Sequence, residues 1–174
     1  MNPHGMFIGA TGSGKTFAAQ QSAKSFRHQS PHPIKTLILH KPLEIWPGSS
    51  ATWQTEDPEK YLWKWERSRG CACFMELADA LVDKWDERFW RCFTQGRHYG
   101  HRCYYISQRA AFVHPAIRDN CASLHLFAVP QNAAKMWAVE FNDPALLGAV
   151  KLPPRWFYFK PDRYTPARLM TLAA

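Results

Sequence analysis

No apolar stretch of this chain approaches the ~20 residues that a membrane-spanning helix needs, and no leader pattern precedes its first motif. The opening residues, MNPHGMFIGATG, run straight into a glycine-rich turn. A soluble protein is expected, cytosolic unless a partner carries it elsewhere. Acidic residues are scarce: 14 Asp and Glu stand against 22 Lys and Arg, for a formal net charge of +8. That balance suits a polyanionic partner such as nucleic acid, and equally a solvated basic surface. The five cysteines, at 71, 73, 92, 103 and 121, are odd in number and several lie in apolar runs. They suit a reducing compartment better than a disulfide framework. Cys71 and Cys73 are separated by one residue, where common zinc sites have two to four. On a strand both would point the same way and read as small buried hydrophobes. Internal repeats, low-complexity segments and a clear domain boundary are also lacking.

What is present is ample apolar material. Apolar residues make up 46% of the 174, aromatics 14%, and tryptophan occurs eight times. One domain with a real core is expected, and global disorder is excluded. Short apolar runs at Met6–Ile8, Ile34–Leu39, Cys71–Met75, Arg102–Ile106, Ser123–Val129 and Arg155–Lys160 read as strands, with a further short one at Ala51–Trp53. CACFM (71–75) is continuously apolar, as a strand covered on both faces would be. Helical patterns fall at Phe17–Phe26, Glu59–Glu66, Pro115–Asn120 and Asn132–Phe141. Ala78, Leu81, Val82, Trp85, Phe89, Cys92 and Phe93 form a stripe at spacings of three and four, predicting another helix closed by Gly96. Proline-rich residues 42–58 read mostly as loop. Strands alternating with helices predict an α/β fold: a mostly parallel sheet with helices on both faces. The aromatic, basic residues after Pro153-Pro154 read as a small C-terminal β extension, an accessory hairpin.

Residues 9–16, GATGSGKT, match the phosphate-loop pattern G-x-x-x-x-G-K-[ST] in full. Gly9, Ala10, Thr11, Gly12, Ser13 and Gly14 let backbone N–H groups turn toward phosphate oxygens. Lys15 neutralises the β and γ phosphates, and the Thr16 hydroxyl reaches Mg²⁺. The start of the following helix adds its partial positive charge. An apolar run before the motif and a helical pattern after it give the context that such a site requires. ATP and Mg²⁺ are the expected ligands.

Hydrolysis there needs an acid at the end of a neighbouring strand, and a second acid usually polarises water. The stretch CACFMELADALVD offers Glu76 first, without the usual Asp-Glu pair. Either Glu76 replaces the aspartate and Leu77 takes the catalytic position, or Met75 takes the aspartate position and Glu76 is the catalytic acid. Asp79, one helical turn on, is a weaker candidate that also suits a helix cap. Gln108, just past the end of the next strand, would sit beside the γ-phosphate. Arg97 precedes that same strand. It would lie far from its own nucleotide, yet in a ring would face a neighbour's as an arginine finger. Arg109 and Arg118 are weaker finger candidates.

The phosphate loop, Ser107-Gln108-Arg109, Arg97 before the fourth core strand and Pro115-Ala-Ile-Arg118-Asp-Asn120, in that order, resemble the FtsK–HerA superfamily of DNA-pumping P-loop ATPases. The small size resembles the genome-packaging ATPases of tailless, membrane-containing icosahedral viruses. The resemblance covers roughly residues 5–130. It implies an ASCE, RecA-like ATPase that moves DNA through a ring of six subunits, with Lys15, Glu76, Gln108 and Arg97 catalytic and Thr16 and Glu76 at the metal. It also implies a capsid or membrane-vertex partner and a place in the host cytoplasm or on the virion. The broken acidic pair departs from the family pattern. Sequence-independent DNA contacts are expected from Lys60, Lys64, Arg67 and Arg69, or from Arg155, Lys160 and Arg163. YLWKWERSR (61–69) reads more readily as an amphipathic helix packing its tryptophans on the sheet. Three other readings stay open: a DNA-export or conjugation ATPase, a small-molecule kinase, and a nucleotide-binding subunit that hydrolyses nothing.

Overall fold

The structure, a computed structural model, describes residues 4–28, 32–40, 46, 52–76, 83 and 85–172. Much of the proline-rich 42–58 stretch, Leu77, Asp79 and the first turns of the expected 78–93 helix lie outside them.

Eight strands form one sheet in the order β3-β2-β4-β5-β1-β6-β7-β8. These are β1 (Gly5–Ile8), β2 (Thr36–Leu39), β3 (Thr52–Thr55), β4 (Ala72–Glu76), β5 (Arg102–Ser107), β6 (Ser123–Leu126), β7 (Trp156–Lys160) and β8 (Arg168–Thr171). The first six run parallel, and β7 and β8 add to β6 antiparallel. The fold class is therefore the expected one, and the tail is the expected hairpin. One detail differs. The acid-bearing β4 is not the neighbour of β1, because β5 lies between them.

Continuous apolarity in the central strands has a two-sided cause. Along β4, Cys73 and Met75 enter one core layer while Ala72 and Phe74 enter the other. In β1, Met6 and Ile8 take the first side and Phe7 the second. The second side is covered by α1 (Lys15–Arg27) through Ala18, Ala19, Ala23 and Phe26. Small alanines let this helix lie close to a floor of aromatic rings, with Phe74 stacked on Tyr104 at 4.8 Å and Phe7 on His125 at 4.1 Å. The first side takes residues of α2 (Pro58–Glu66), α3 (Glu87–Gln95), α4 (Pro115–Asn120) and α5 (Gln131–Glu140). All five cysteines are buried and free. Cys71 and Cys73 share a face as small hydrophobes, as expected.

Two expectations need correcting. Among the described residues the helix of the 78–93 stripe begins at Glu87, capped by Asp86, and Trp85 stands in a turn, 63% exposed. Its place in the stripe was a coincidence of spacing. Lys160, read as a DNA contact, is 2% exposed. Its ammonium donates to Asp143 Oδ2 at 3.2 Å and to the Thr165 carbonyl at 2.7 Å. Asp143 also accepts from Ala145 and Ala167 N–H groups, so this is the polar lock that fastens the hairpin to the domain. Burial alone would raise the Asp143 pKa, but those donors and the Lys160 charge hold it below the ordinary carboxylate range. Arg163 is likewise committed: it donates to the carbonyls of Glu140 and Arg118 at 2.8 and 2.7 Å.

Lys160→Met leaves Asp143 buried beside an apolar chain. We expect a loss of roughly 3 kcal/mol, read from the urea midpoint, whereas reversal of an exposed lysine such as Lys135 leaves the midpoint within about 0.5 kcal/mol.

Candidate functional site: the phosphate loop and its neighbours

The loop 9–14 leaves β1 and enters α1 at the carboxyl end of the parallel strands, where open α/β sheets place their ligands. The sheet anchors it on two sides: Gly9 N–H donates to the Ser107 carbonyl at 3.2 Å and Ala10 N–H to the Ala128 carbonyl at 2.8 Å. Gly12 and Gly14 have φ of 76° and 104°, a region where side chains are strained. At Gly9 a Cβ would come within 2.5 Å of Phe127 Cβ, so close packing alone demands glycine there.

The first turn of α1 is left bare. Gly14 offers no side-chain cap, and no acid occurs in that turn. By contrast α2 and α3 are capped by Asp57 and Asp86. Uncapped N–H groups and the positive end of a 13-residue helix make a seat for an anion. Lys15 is 5% exposed and its Nζ lies 3.4 Å from the Ala10 carbonyl, so the ammonium arches over the loop. Ser13 Oγ is buried there and has no hydrogen-bond partner among the described residues.

Two side chains expected from other strands arrive at this loop. Thr16 Oγ1 donates to Glu76 Oε1 at 2.9 Å. Thr11 Oγ1 donates to Gln108 Oε1, also at 2.9 Å. Met75 is fully buried in the core and presents nothing to the loop, so of the two alignments considered for the acid, the geometry puts Glu76 at the threonine. Thr16 and Glu76 are hard oxygen donors, and together with phosphates and water they fit Mg²⁺, which takes few protein ligands.

His40 was not found from sequence. It follows β2 directly, 5% exposed, and its Nδ1 pairs with Glu76 Oε2 while its ring packs edge-on against Trp46. Burial pushes the Glu76 pKa up. The hydrogen bonds from His40 and Thr16, with the charges of His40 and Lys15, outweigh this and keep the carboxyl below its ordinary range. The only sequence signal was a histidine ending an apolar strand, and nothing local links it to Glu76.

The C-terminal hairpin also reaches the loop. Arg155, at φ 70°, donates its N–H to the Ser13 carbonyl at 3.0 Å, and its guanidinium lies over the Phe17 ring. Leu172 packs beside Gly14. Arg155, expected at DNA, thus braces the 9–14 loop. Arg97 is elsewhere, exposed on a 3₁₀ turn at the opposite end of β5 from Gln108. Arg118 is half-buried against Glu140 Oε2 at 3.9 Å and Met136, and Arg109 lies over Phe112.

Neither a protein-family model nor a curated protein sequence matches the chain. Solved structures do. The genome-packaging NTPase B204 of Sulfolobus turreted icosahedral virus 2, in complex with ATP-gammaS, aligns over 100% of both chains with a TM-score of 0.75 at 13% identity. The DNA-packaging ATPase B204 of Sulfolobus turreted icosahedral virus gives 0.72 at 14% identity over the same extent. The cytoplasmic domain of the Thermomonospora curvata type VII secretion ATPase EccC gives 0.69 at 15% identity, covering 98% of this chain and 25% of that one. The pCW3 conjugation coupling protein TcpA, with ATPgS, gives 0.64 at 16% identity over 98% of this chain and 60% of that one. At these identities the likeness is one of fold: the chain has the mostly parallel α/β fold of P-loop ATPases. Its resemblance to viral packaging ATPases extends past residue 130 to the C-terminal hairpin.

Gly12→Ala meets open space and pays only for φ, about 1–2 kcal/mol. Gly14→Ala adds contacts at 3.2 Å with Leu172 and 3.5 Å with the Arg155 backbone. Titration with a fluorescent ATP analogue should find Gly12→Ala weakened about tenfold and Gly14→Ala by more than about 100-fold. Equal losses would contradict the bracing role of the hairpin.

Proposed function

We propose that the chain is an ATP-driven DNA translocase of the viral genome-packaging kind, working as a ring in which Arg97 of one subunit serves the nucleotide of the next. The observation that carries the reading is the convergence of Glu76 on Thr16 and of Gln108 on Thr11 at one uncapped helix start. A kinase needs an acceptor site there. This arrangement instead supplies an acid, a polar sensor and a cradle for polyphosphate. The full-length fold likeness to the B204 packaging ATPases supports the genome-packaging choice.

In this reading the loop N–H groups and Lys15 bind the β and γ phosphates of ATP, and Thr16 and Glu76 hold Mg²⁺. Held by Thr16 and Glu76, Mg²⁺ would supply charge neutralisation at the phosphates. Gln108 releases Thr11 and turns to the γ-phosphate and the attacking water. His40 keeps the Glu76 carboxylate aimed at Thr16. Loss of the γ-phosphate frees Gln108, and that order change is the switch transmitted to the DNA-contacting surface. The host cytoplasm or the virion, with a capsid or membrane-vertex partner, is the proposed setting.

A second reading is favoured by one observation: residue 77, following Glu76, is leucine. With leucine in that position the chain would bind ATP and hydrolyse none.

ATP turnover by the purified chain, with and without duplex DNA, decides between them. The translocase reading expects DNA-stimulated turnover that Lys15→Ala and Glu76→Gln abolish. Arg97→Ala should lower it on the order of 10³-fold. Mixing Lys15→Ala with Arg97→Ala subunits should restore part of it, because some interfaces then join an intact loop to an intact arginine. Tight ATP binding with the same background turnover in wild type and Glu76→Gln supports the non-hydrolysing subunit.

A further inference from the structure

At the end of the sheet away from the phosphate loop lies an open pocket of about 580 Å³. Leu37 of β2 and Trp53 of the edge strand β3 give it an apolar floor. Lys35, just before β2, Lys64 in the last turn of α2, and Arg67 and Arg69 in the turn that follows supply four cations. Among the described residues no Asp or Glu lines it, and none of the four cations forms an ion pair.

Helix capping accounts for part of this cluster. Arg67 Nη1 donates to the Trp63 carbonyl at 3.4 Å, and Arg69 Nη1 donates to the carbonyls of Glu66 and Ser68 at 2.8 and 2.6 Å. A helix C-terminus carries about half a negative charge, which four cations exceed several-fold. The guanidiniums are also held flat, Arg67 at 4.6 Å over Trp63 and Arg69 at 4.4 Å over Tyr99. Stacking fixes each fork while most of its five N–H donors stay uncommitted. A fixed, unpaired, multiply cationic concavity is costly to the fold through self-repulsion unless an anion visits it.

We propose that this pocket binds the phosphodiester backbone of nucleic acid and gives the chain a sequence-independent hold on DNA. The choice of nucleic acid over a free phosphate compound rests on the translocase reading; the anion site itself rests on the four cations. It narrows the expected contact set: Lys64, Arg67 and Arg69 stay and Lys35 joins them, while Lys60 pairs with Asp57, Arg155 braces the loop, and Lys160 and Arg163 are committed within the fold.

Fluorescence anisotropy with a labelled random-sequence duplex, between roughly 50 and 200 mM salt, tests it. Lys64→Glu with Arg67→Glu should weaken binding at least about tenfold and flatten the salt slope by about two. Lys135→Glu, exposed on α5, should do neither. Lys64→Arg, which keeps the charge and leaves the stacked Arg67 in place, should keep the affinity within about threefold, separating charge from packing, and a thermal melt confirms that each variant is folded. Unchanged binding in the charge-reversed double variant overturns the pocket and leaves the translocase reading standing. No duplex binding by the wild type overturns both. Inorganic pyrophosphate that binds the Lys15→Ala chain through Lys64 and Arg67, with no duplex bound, overturns the nucleic-acid assignment in favour of a free phosphate ligand.

Discussion

A loop that binds polyphosphate through its own N–H groups must keep those groups unpaired, and a folded chain tolerates that only where a charged ligand will meet them. Residues 9–16 are built around this demand. Glycines hold the backbone in conformations that aim N–H groups inward, α1 starts without a cap, and Lys15 supplies charge from a buried position. The first two N–H groups, of Gly9 and Ala10, are bonded to the sheet, and the other braces reach the loop through its carbonyls or side chains. The Arg155 N–H takes the Ser13 carbonyl, Gln108 takes the Thr11 hydroxyl, and Glu76 takes the Thr16 hydroxyl. The loop is thus braced on several sides while its anion-binding face stays open.

The sheet then separates the molecule into two chemically different ends. At the carboxyl ends of the strands sit the loop, Glu76, Gln108 and His40. At the amino ends sit Arg97 and the pocket of Lys35, Lys64, Arg67 and Arg69. Six parallel strands make this polarity unavoidable, because each carries its first residues to one end and its last to the other. The phosphate-loop pattern and these cations thus lie at opposite ends of the strands. The proposed ring draws on that separation, which leaves Arg97 free to serve a site other than its own chain's.

How much of this could be read from sequence follows the range of the forces involved. The phosphate loop was legible because backbone geometry dictates glycines at fixed offsets. The CACFM strand was legible because burial on both faces leaves no polar position. Gln108 was legible because a polar residue ending a buried strand has few reasons to be there. His40 was not, since its partner comes from another strand and the pairing depends on sheet order. Lys160 was misread because a lysine in a basic, aromatic tail looks exposed until Asp143 is placed beside it. Trp85 fitted a helical stripe by spacing alone. The hairpin strand β8, exposed along its length, carries no apolar alternation to announce it, and was inferred only as part of a C-terminal extension.

The central claim is that nucleotide turnover moves DNA. Displacement of a third strand from a duplex measures that motion directly, since a translocating ring must strip whatever is bound ahead of it. The account predicts displacement with ATP and Mg²⁺, and none with a non-hydrolysable analogue or with the Lys15→Ala chain. A protein that binds duplex and turns over ATP yet leaves the third strand in place would contradict it.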